Sequence, residues 1–280
     1  MTTAGGEVKE KKEQFDLEWN DDHVFPKVIF PDLDFVFEKM NEVTMDTVGP
    51  KPGERILDVG SGRCIDAVTL AKRGGSLYGL EISTTMLKHS QEHMTKNGVE
   101  VVLIRGVGEH LPFKDGSFDK VLCKGAMDHF PDPFKAVKEM GRVTRPGGEV
   151  IISIANFESL GFKLGKGYYR IKKFLHVAKK DGRRKAWEIP PDHMYKFDYP
   201  FLRKVVKPYM SIENSKGISL MMGAPKWGPF LHRLPKKASR GILSPLDRLA
   251  RHLPRLADVI VMTASPRMDP AKSQISPGPR

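Results

Sequence analysis

This 280-residue sequence contains few cysteines and no long apolar run. Its two cysteines, Cys64 and Cys123, are too few for a disulfide framework or for a zinc site built on thiolates. No stretch approaches the roughly 18 consecutive apolar residues of a membrane-spanning helix. The polar residues 1–12 lack the apolar segment of a secretory signal. We therefore expect a cytoplasmic protein, either free or peripheral to the inner face of the membrane.

Acidic residues are scarce in the second half of the chain, so the net charge of +12 is unevenly distributed. Residues 1–150 contain 20 Lys and Arg against 25 Asp and Glu, a net charge of −5. Residues 151–280 contain 26 against 9, a net charge of +17. Such a basic half suits an anionic small molecule, a membrane surface or a nucleic acid, and it is equally typical of a solvated basic surface.

Short apolar segments alternate with amphipathic ones from residue 55 onward. Strands are predicted at Arg55–Val59, Ser76–Leu80, Val99–Arg105, Phe118–Lys124, Glu149–Ala155, Tyr209–Lys216 and Ala257–Thr263. Helices are predicted at Ile65–Arg73, after the N-caps Ser83 and Asp132, at Pro200–Val206 and at Leu243–His252. This pattern predicts an α/β fold with a Rossmann-like, doubly wound, mostly parallel seven-stranded sheet.

The remaining segments complete the predicted domain organisation. Residues 1–13 are expected to be disordered, and 14–48 to form an N-terminal helical lid. The α/β core is predicted to span 49–264, with a basic insertion at 157–196 after the fifth strand, on the substrate side. Residues 265–280 contain four prolines and little apolar content, which indicates a flexible tail.

The first chemical signal is ILDVGSG at 56–62, a buried strand that ends in a Gly-rich turn. Glycine lets the backbone approach a ligand closely, beyond the carboxyl ends of the strands. No P-loop lysine follows, and Ile65 stands where the dinucleotide fingerprint has its last glycine. The second signal is Glu81, 23 residues after Asp58 at the end of the second strand. An acid at this offset is placed to accept hydrogen bonds from ribose hydroxyls.

The third signal is GVGEHLPFKDGSFD at 106–119, just before the fourth strand. In this order, the three signals are very similar to class I S-adenosylmethionine-dependent methyltransferases. More narrowly, they resemble the ubiquinone/menaquinone-biosynthesis-type group of small-molecule methyltransferases. MDH at 127–129 resembles the Glu-His of this group, and RPGG at 145–148 resembles its Pro-Gly-Gly before the fifth strand.

The resemblance implies S-adenosylmethionine as the cofactor and S-adenosylhomocysteine as the product. The residues that would line the methionine part are Asp58, Gly60, Ser61 and Gly62. The residue that would bind the ribose is Glu81. The residues that would flank the adenine are Ile82, Met86, Val107, Gly108 and Glu109. The backbone near Lys124 would close the pocket.

Two positions depart from the family pattern. Cys64 stands where many members have glycine, and we interpret it as a small filler rather than a nucleophile. Val107 stands where many members have aspartate, so its side chain cannot accept a hydrogen bond from the adenine amino group. A backbone contact or a neighbouring residue must replace that bond, or affinity falls by about 1 kcal/mol.

The acceptor side is predicted around the end of the fourth strand. His129 is the candidate general base for a hydroxyl acceptor, with Asp128 to orient it. A turn-capping or packing role for His129 is an equal alternative. The further candidates for the acceptor pocket, each of which could instead be a surface or packing residue, are Phe15, Trp19, Tyr168, His193 and Tyr195. No metal site is predicted.

Three functions are compatible with these signals. The favoured one is methyl transfer by in-line displacement to a hydroxyl or carbon of a small acceptor, such as a natural product, a quinone or a lipid-like compound. The second is methylation of RNA or protein through the basic half. Residues 163–185 contain no recognisable RNA-binding module, so a nucleic-acid partner is not expected. The third is a membrane-associated cofactor-binding module, with 163–185 lying on anionic lipid.

Overall fold

A seven-stranded sheet lies at the centre of the computed structural model, which describes residues 16–21, 28–177 and 185–267. The strands are β1 (Arg55–Val59), β2 (Ser76–Glu81), β3 (Val102–Arg105), β4 (Phe118–Lys124), β5 (Thr144–Ala155), β6 (Met210–Ile218) and β7 (Val259–Pro266). Their order is β3-β2-β1-β4-β5-β7-β6, and β7 pairs antiparallel with both neighbours while the other pairs are parallel. This confirms the predicted mostly parallel sheet.

Helices flank both faces of the sheet. They are α1 (Pro31–Val48), α2 (Ile65–Lys72), α3 (Thr84–Asn97), α4 (Pro133–Val143), α5 (Leu160–Phe174), α6 (Tyr199–Val206), α7 (Trp227–His232) and α8 (Lys236–Ala250). A short 3₁₀ helix, Met127–His129, follows β4. Among the described helices, none is long and apolar enough to cross a membrane.

The predicted caps are present where the sequence places them. Ser83 Oγ accepts a hydrogen bond from the Met86 N–H at 3.2 Å, and Gly98 ends α3 with a φ of 61°. Asp132 Oδ1 accepts from the Lys135 N–H at 3.1 Å at the start of α4. Such caps satisfy backbone groups that have no partner inside the helix, which explains why both starts could be predicted locally.

The core forms two layers because successive strand residues point to opposite faces of the sheet. Leu57 packs in the layer with α4 and α6, whereas its neighbour Ile56 packs in the layer with α1 and α2. Ile152 and Ile151 on β5 divide in the same way. With both faces buried, Val150, Ile151 and Ile152 of β5 form a continuous apolar run.

Several boundaries differ from the prediction for identifiable reasons. β3 begins three residues later than predicted, because the Val99 N–H closes the end of α3 by donating to the Met94 carbonyl oxygen at 3.2 Å. β5 begins at Thr144 rather than at Glu149, so the Pro-Gly-Gly at 146–148 lies inside this strand, where the register with β4 shifts between Phe118 and Lys120. α8 begins at Lys236, ahead of the predicted start, although Gly241 and Pro245 lower helix propensity there.

The segments outside the core also differ in part. Residues 160–174 of the predicted insertion form the regular helix α5. Within the predicted lid, the described helix begins at Pro31. β7 extends to Pro266, two residues into the predicted tail. The predicted disorder of 1–13 and the rest of the tail lie outside the described residues.

Candidate active site

The candidate site lies at the carboxyl edge of the parallel strands, where the turn after β1 opens α2. Gly60 and Gly62 have positive φ angles of 74° and 51°. A Cβ atom on Gly60 would lie 2.5 Å from the Ala126 Cβ atom, so no side chain fits there. The N–H groups of Gly60 and Ser61 donate to the Leu80 carbonyl oxygen at 2.8 and 3.1 Å, which fixes the turn against the end of β2.

Glu81 is buried at the end of β2, where its carboxylate accepts three backbone hydrogen bonds. Oε2 accepts from the Gly62 N–H at 2.9 Å, and Oε1 accepts from the Ile82 and Ser83 N–H groups at 2.8 and 2.9 Å. A carboxylate offers about four acceptor positions, so one is left for a ligand hydroxyl. Glu81 therefore orders the Gly-rich turn, a role that the sequence did not indicate, and its bond to the ribose stays a prediction.

Two buried polar atoms beside the turn have no hydrogen-bond partner among the described residues: Asp58 Oδ2 and Ser61 Oγ. The pKa of Asp58 is raised well above its usual value, mainly by burial and also by the nearby Asp66 carboxylate. The positive charge of Lys124 acts in the opposite direction but does not outweigh them. An unsatisfied buried polar group costs about 1–3 kcal/mol. A ligand ammonium group would satisfy Asp58, so these residues fit the amino acid part of S-adenosylmethionine.

The start of α2 is fixed by Cys64 and Lys124. Cys64 has a φ of 56°, a left-handed conformation that glycine adopts without strain. This explains why many members of the family that the sequence resembles have glycine at this position. Burial raises the pKa of its thiol to about 11, which supports the prediction that Cys64 packs rather than reacts. Lys124 Nζ contacts both Asp66 carboxylate oxygens at 2.9 Å and also binds Asn41.

The predicted adenine residues lie at the same edge. Val107 forms a bridge with His110, which turns the chain after β3. Glu109 is buried, its Oε1 accepts from the Asp132 N–H at 3.1 Å, and burial raises its pKa. Met86 is fully buried on α3 and Ile82 is half-buried. The adenine contacts of these residues stay predictions.

Phe130 is a residue of this edge that the sequence analysis missed. A Cβ atom on Gly108 would lie 3.0 Å from its Cε2, and one on Gly60 would lie 3.7 Å from its Cζ. The ring therefore lies between the two glycine turns. An aromatic residue directly after the MDH motif was the only sequence signal that could have indicated it.

Three side chains meet where β4 ends: Asp128, His129 and His193. Asp128 Oδ2 lies 2.9 Å from His193 Nδ1, whereas Asp128 Oδ1 lies 4.0 Å from His129 Nε2. The two imidazole rings are 4.6 Å apart. The closer partner of Asp128 is therefore His193, which the sequence analysis did not pair with it, and the prediction that Asp128 orients His129 stays a prediction. His129 Nδ1 instead contacts the Asp192 carbonyl oxygen at 3.1 Å.

Asp128 is almost fully buried, and two opposing effects act on it. Burial is the largest single effect and acts to raise its pKa. The positive charges that His193 and His129 can carry outweigh burial and lower the pKa overall. The Asp128 carbonyl oxygen also accepts from the Met194 and Tyr195 N–H groups at 2.7 and 3.2 Å, which connects the end of β4 to the segment before α6.

The segment 16–21 covers this cluster. The Trp19 ring lies edge-on to His129 with centroids 5.2 Å apart, and its Nε1 lies 3.4 Å from Asp192 Oδ2. Its carbonyl oxygen accepts from Ser83 Oγ at 2.6 Å. Arg63, beside the Gly-rich turn, binds both carboxylate oxygens of Asp21. Trp19 thus contacts both Ser83 on the cofactor side and His129 on the acceptor side, and its role in a lid stays a prediction.

The other predicted acceptor residues are less closely placed. The Tyr195 hydroxyl donates to the Pro131 carbonyl oxygen at 3.0 Å, which indicates a structural role. Tyr168 is exposed on α5, with Lys172 Nζ 5.5 Å from its ring centroid, rather than facing the cluster. Phe15 lies outside the described residues.

The Asp128–His129–His193 cluster could also bind a metal ion, although the sequence predicted no metal site. One ligand atom from each residue lies within 4.8 Å of the others. An imidazole–carboxylate set of this kind suits several transition metals.

Comparisons with known proteins find relatives of the part of the chain that contains this site. Residues 57–152 match the family described as methyltransferase domain. A ubiquinone biosynthesis O-methyltransferase of Paracidovorax citrulli is 32% identical over 141 residues, which cover 48% of this chain and 59% of that protein. The Escherichia coli protein of the same name is 28% identical over 160 residues, covering 52% of this chain and 67% of that protein. The matches thus span about three fifths to two thirds of these relatives.

A solved structure shows the same fold. YcgJ of Bacillus subtilis superposes with a TM-score of 0.55 at 18% identity, covering 83% of this chain and 100% of that chain. The matched residues 57–152 run from β1 into β5 and contain every predicted cofactor residue from Asp58 to Lys124. This part of the chain therefore forms a methyltransferase domain.

Proposed function

We propose that this methyltransferase methylates a hydroxyl group of a small, lipophilic acceptor, such as a quinone-like or lipid-like compound. The observation that carries the proposal is the His129 imidazole beside the buried Asp128 carboxylate, under Trp19. A hydroxyl must lose its proton during alkylation, and a base within hydrogen-bond reach accelerates that step by about 10²–10⁴-fold. The two relatives are named O-methyltransferases, which supports oxygen as the acceptor atom.

Binding of the cofactor would depend on the Gly-rich turn. When bound, S-adenosylmethionine supplies an electrophilic methyl group, so the protein needs no covalent intermediate of its own. Asp58 and Ser61 would bind its amino acid part, and Glu81 would accept from the ribose while it holds the turn. The chain's contribution to rate is then mainly the alignment of acceptor and methyl group.

His129 is arranged to act as the base. Its Nδ1 faces the Asp192 carbonyl oxygen, which can only accept, so Nδ1 carries the proton and Nε2 is left to take one from the acceptor. Asp128 Oδ1, 4.0 Å from Nε2, would stabilise the imidazolium that forms. His193 would act as a positioning residue, because its contact with Oδ2 fixes the Asp128 carboxylate.

The surroundings favour an apolar acceptor. Trp19 lies against His129, and the buried Phe157 ring lies 6.0 Å from the His193 ring. Aromatic rings of this kind stack on planar apolar compounds and exclude water from the reacting atoms. A flat quinol with an apolar tail fits these rings better than a sugar or an amino acid.

The test is an acceptor screen with phenols, quinols and lipid-like alcohols, with the methylated products identified by mass spectrometry. We expect O-methylated products and a loss of kcat of at least about 100-fold in His129→Ala, with S-adenosylhomocysteine affinity unchanged. His232→Ala, which removes an exposed imidazole from α7, is the matched control and should keep full activity.

Two outcomes would overturn the proposal: full activity in His129→Ala, or products methylated only at nitrogen. The assay is repeated with a chelator. Unchanged rates support a base, whereas loss that an added divalent metal restores would assign the cluster to metal binding instead.

A further inference from the structure

The outward side of α5 carries a continuous apolar ridge. Leu164, Tyr168, Ile171 and Leu175 recur at the spacing of one helical face and expose 43, 42, 60 and 59% of their surface. Phe174, beside them, is 81% exposed. Scattered apolar residues are ordinary on a protein surface, but a contiguous exposed patch of this kind marks an interaction site.

The opposite side of α5 is packed closely on the protein, so the ridge is held in a fixed orientation. A Cβ atom on Gly161 would collide with the Met222 carbonyl oxygen, and one on Gly165 would lie 2.6 Å from the Trp187 ring. Phe162 is buried between these two glycines. Close helix packing through glycine explains why α5 is a stable part of the structure despite its exposed apolar side.

The charge of α5 is entirely positive. Residues 160–174 contain five Lys and Arg and no Asp or Glu: Lys163, Lys166, Arg170, Lys172 and Lys173. Lys166 pairs with Glu158, outside the helix. Lys163 and Arg170 flank the ridge on one side, and Lys172 flanks it on the other. An apolar ridge between basic edges is typical of a helix that lies in the headgroup region of an anionic bilayer.

We propose that α5 docks this protein on an anionic membrane surface, with Ile171 and Phe174 inserted among the acyl chains and the lysines on the headgroups. A nucleic acid would satisfy the cations and leave the apolar ridge in water. A second copy of the chain would bring two sets of like charges together. An anionic bilayer satisfies both features at once.

Docking would also place the active site at the lipid surface. Phe157 precedes α5, and its ring lies 6.1 Å from that of Phe162 on α5 and 6.0 Å from that of His193. The acceptor face is therefore adjacent to the docking helix. This consequence rests on the proposed lipophilic acceptor, whereas the docking itself does not.

The experiment is vesicle flotation of the full chain, with phosphatidylcholine vesicles and with vesicles that also contain about 30% phosphatidylglycerol. We expect binding to the anionic vesicles and weaker binding as salt rises. Ile171→Ser and Phe174→Ser should each lower partitioning by about tenfold or more, since each removes an inserted apolar side chain. Lys163→Gln combined with Arg170→Gln, which removes the two cations on one side of the ridge, should lower vesicle binding at low salt.

Matched controls separate docking from general changes. Phe230→Ser, which removes a 46% exposed aromatic side chain from α7, should leave vesicle binding unchanged. All variants should bind S-adenosylhomocysteine like the parent, which shows that they fold. Vesicle binding is measured without an acceptor, so a failure to bind vesicles does not bear on the acceptor proposal. The proposal would be overturned if the parent chain did not float with anionic vesicles, or if Phe230→Ser lost as much binding as Phe174→Ser. It would also be overturned if the parent chain were a dimer without lipid and Phe174→Ser were a monomer, because the ridge would then be a dimer interface.

Discussion

Replacing Asp258 with asparagine should stabilise the fold at neutral and alkaline pH and have little effect near pH 4. Asp258 is fully buried just before β7. Its Oδ2 accepts from the Met222 N–H at 3.1 Å, and Oδ1 has no hydrogen-bond partner within the part of the chain that the structure describes. Burial, the largest effect, raises the pKa of this carboxyl to about 7, although hydrogen bonds from Met222 and Ser219 oppose it.

The sign and size follow from proton binding. In the unfolded chain this carboxyl has its ordinary pKa of 3.8, so between pH 4 and 7 the folded state holds one proton more than the unfolded state. The free energy of unfolding therefore falls as pH rises through this window, by ~1.4 kcal/mol per pH unit and ~4 kcal/mol in all. Asparagine has no proton to lose and can still accept from the Met222 N–H.

Urea unfolding followed by tryptophan fluorescence at pH 5 and pH 8 measures the effect. The advantage of Asp258→Asn over the parent should grow by ~3 kcal/mol between these pH values. Asp119→Asn is the control of opposite sign. Although burial acts to raise the pKa of Asp119, hydrogen bonds from Arg55 and Arg145 lower it overall. Its loss should destabilise equally at both pH values. Parallel stability curves for the parent and Asp258→Asn would refute the reasoning.

Three further variants probe the site. Gly60→Ala should lower S-adenosylhomocysteine affinity at least about tenfold in calorimetry, because the new Cβ atom meets Ala126 at a φ of 74°, and unchanged affinity would contradict the turn geometry. Trp19→Ala should raise the KM for the acceptor several-fold and change the affinity for the cofactor less. A change in cofactor binding alone would contradict the position of Trp19 over His129. Cys64→Gly should keep cofactor affinity within about twofold, since glycine suits its φ of 56°, and a large loss of methylation rate would indicate a chemical role for the thiol.

Features set by nearby residues could be predicted from the sequence. The limits of β1 and β4, the Ser83 cap of α3 and the Gly-rich turn each depend on a few consecutive residues, and the structure places them as expected. The sequence predicts only a basic insertion where α5 lies, because three glycines and a high charge obscure the helical pattern. Its stability comes from packing on Trp187, which local propensity cannot show.

The arrangement of the acceptor side depends on contacts between distant parts of the chain. Asp128 is 65 residues from His193 in the sequence, so its immediate neighbour His129 was the natural partner to predict. The 3₁₀ turn at 127–129 instead directs the Asp128 carboxylate to the segment before α6. The contact between Trp19 and Asp192 crosses 173 positions, and no periodicity or spacing could indicate it.

The most direct test of the central claim is calorimetric binding of S-adenosylhomocysteine to the parent chain and to Asp58→Ala. We predict one site per chain, with affinity lowered at least about tenfold in Asp58→Ala, because the variant removes the buried carboxylate that would meet the ligand ammonium group. Asp46→Ala, which removes an exposed carboxylate from α1, should bind like the parent. Absence of binding to the parent, or equal affinity in the parent and Asp58→Ala, would contradict the assignment of the Gly-rich turn as the cofactor site.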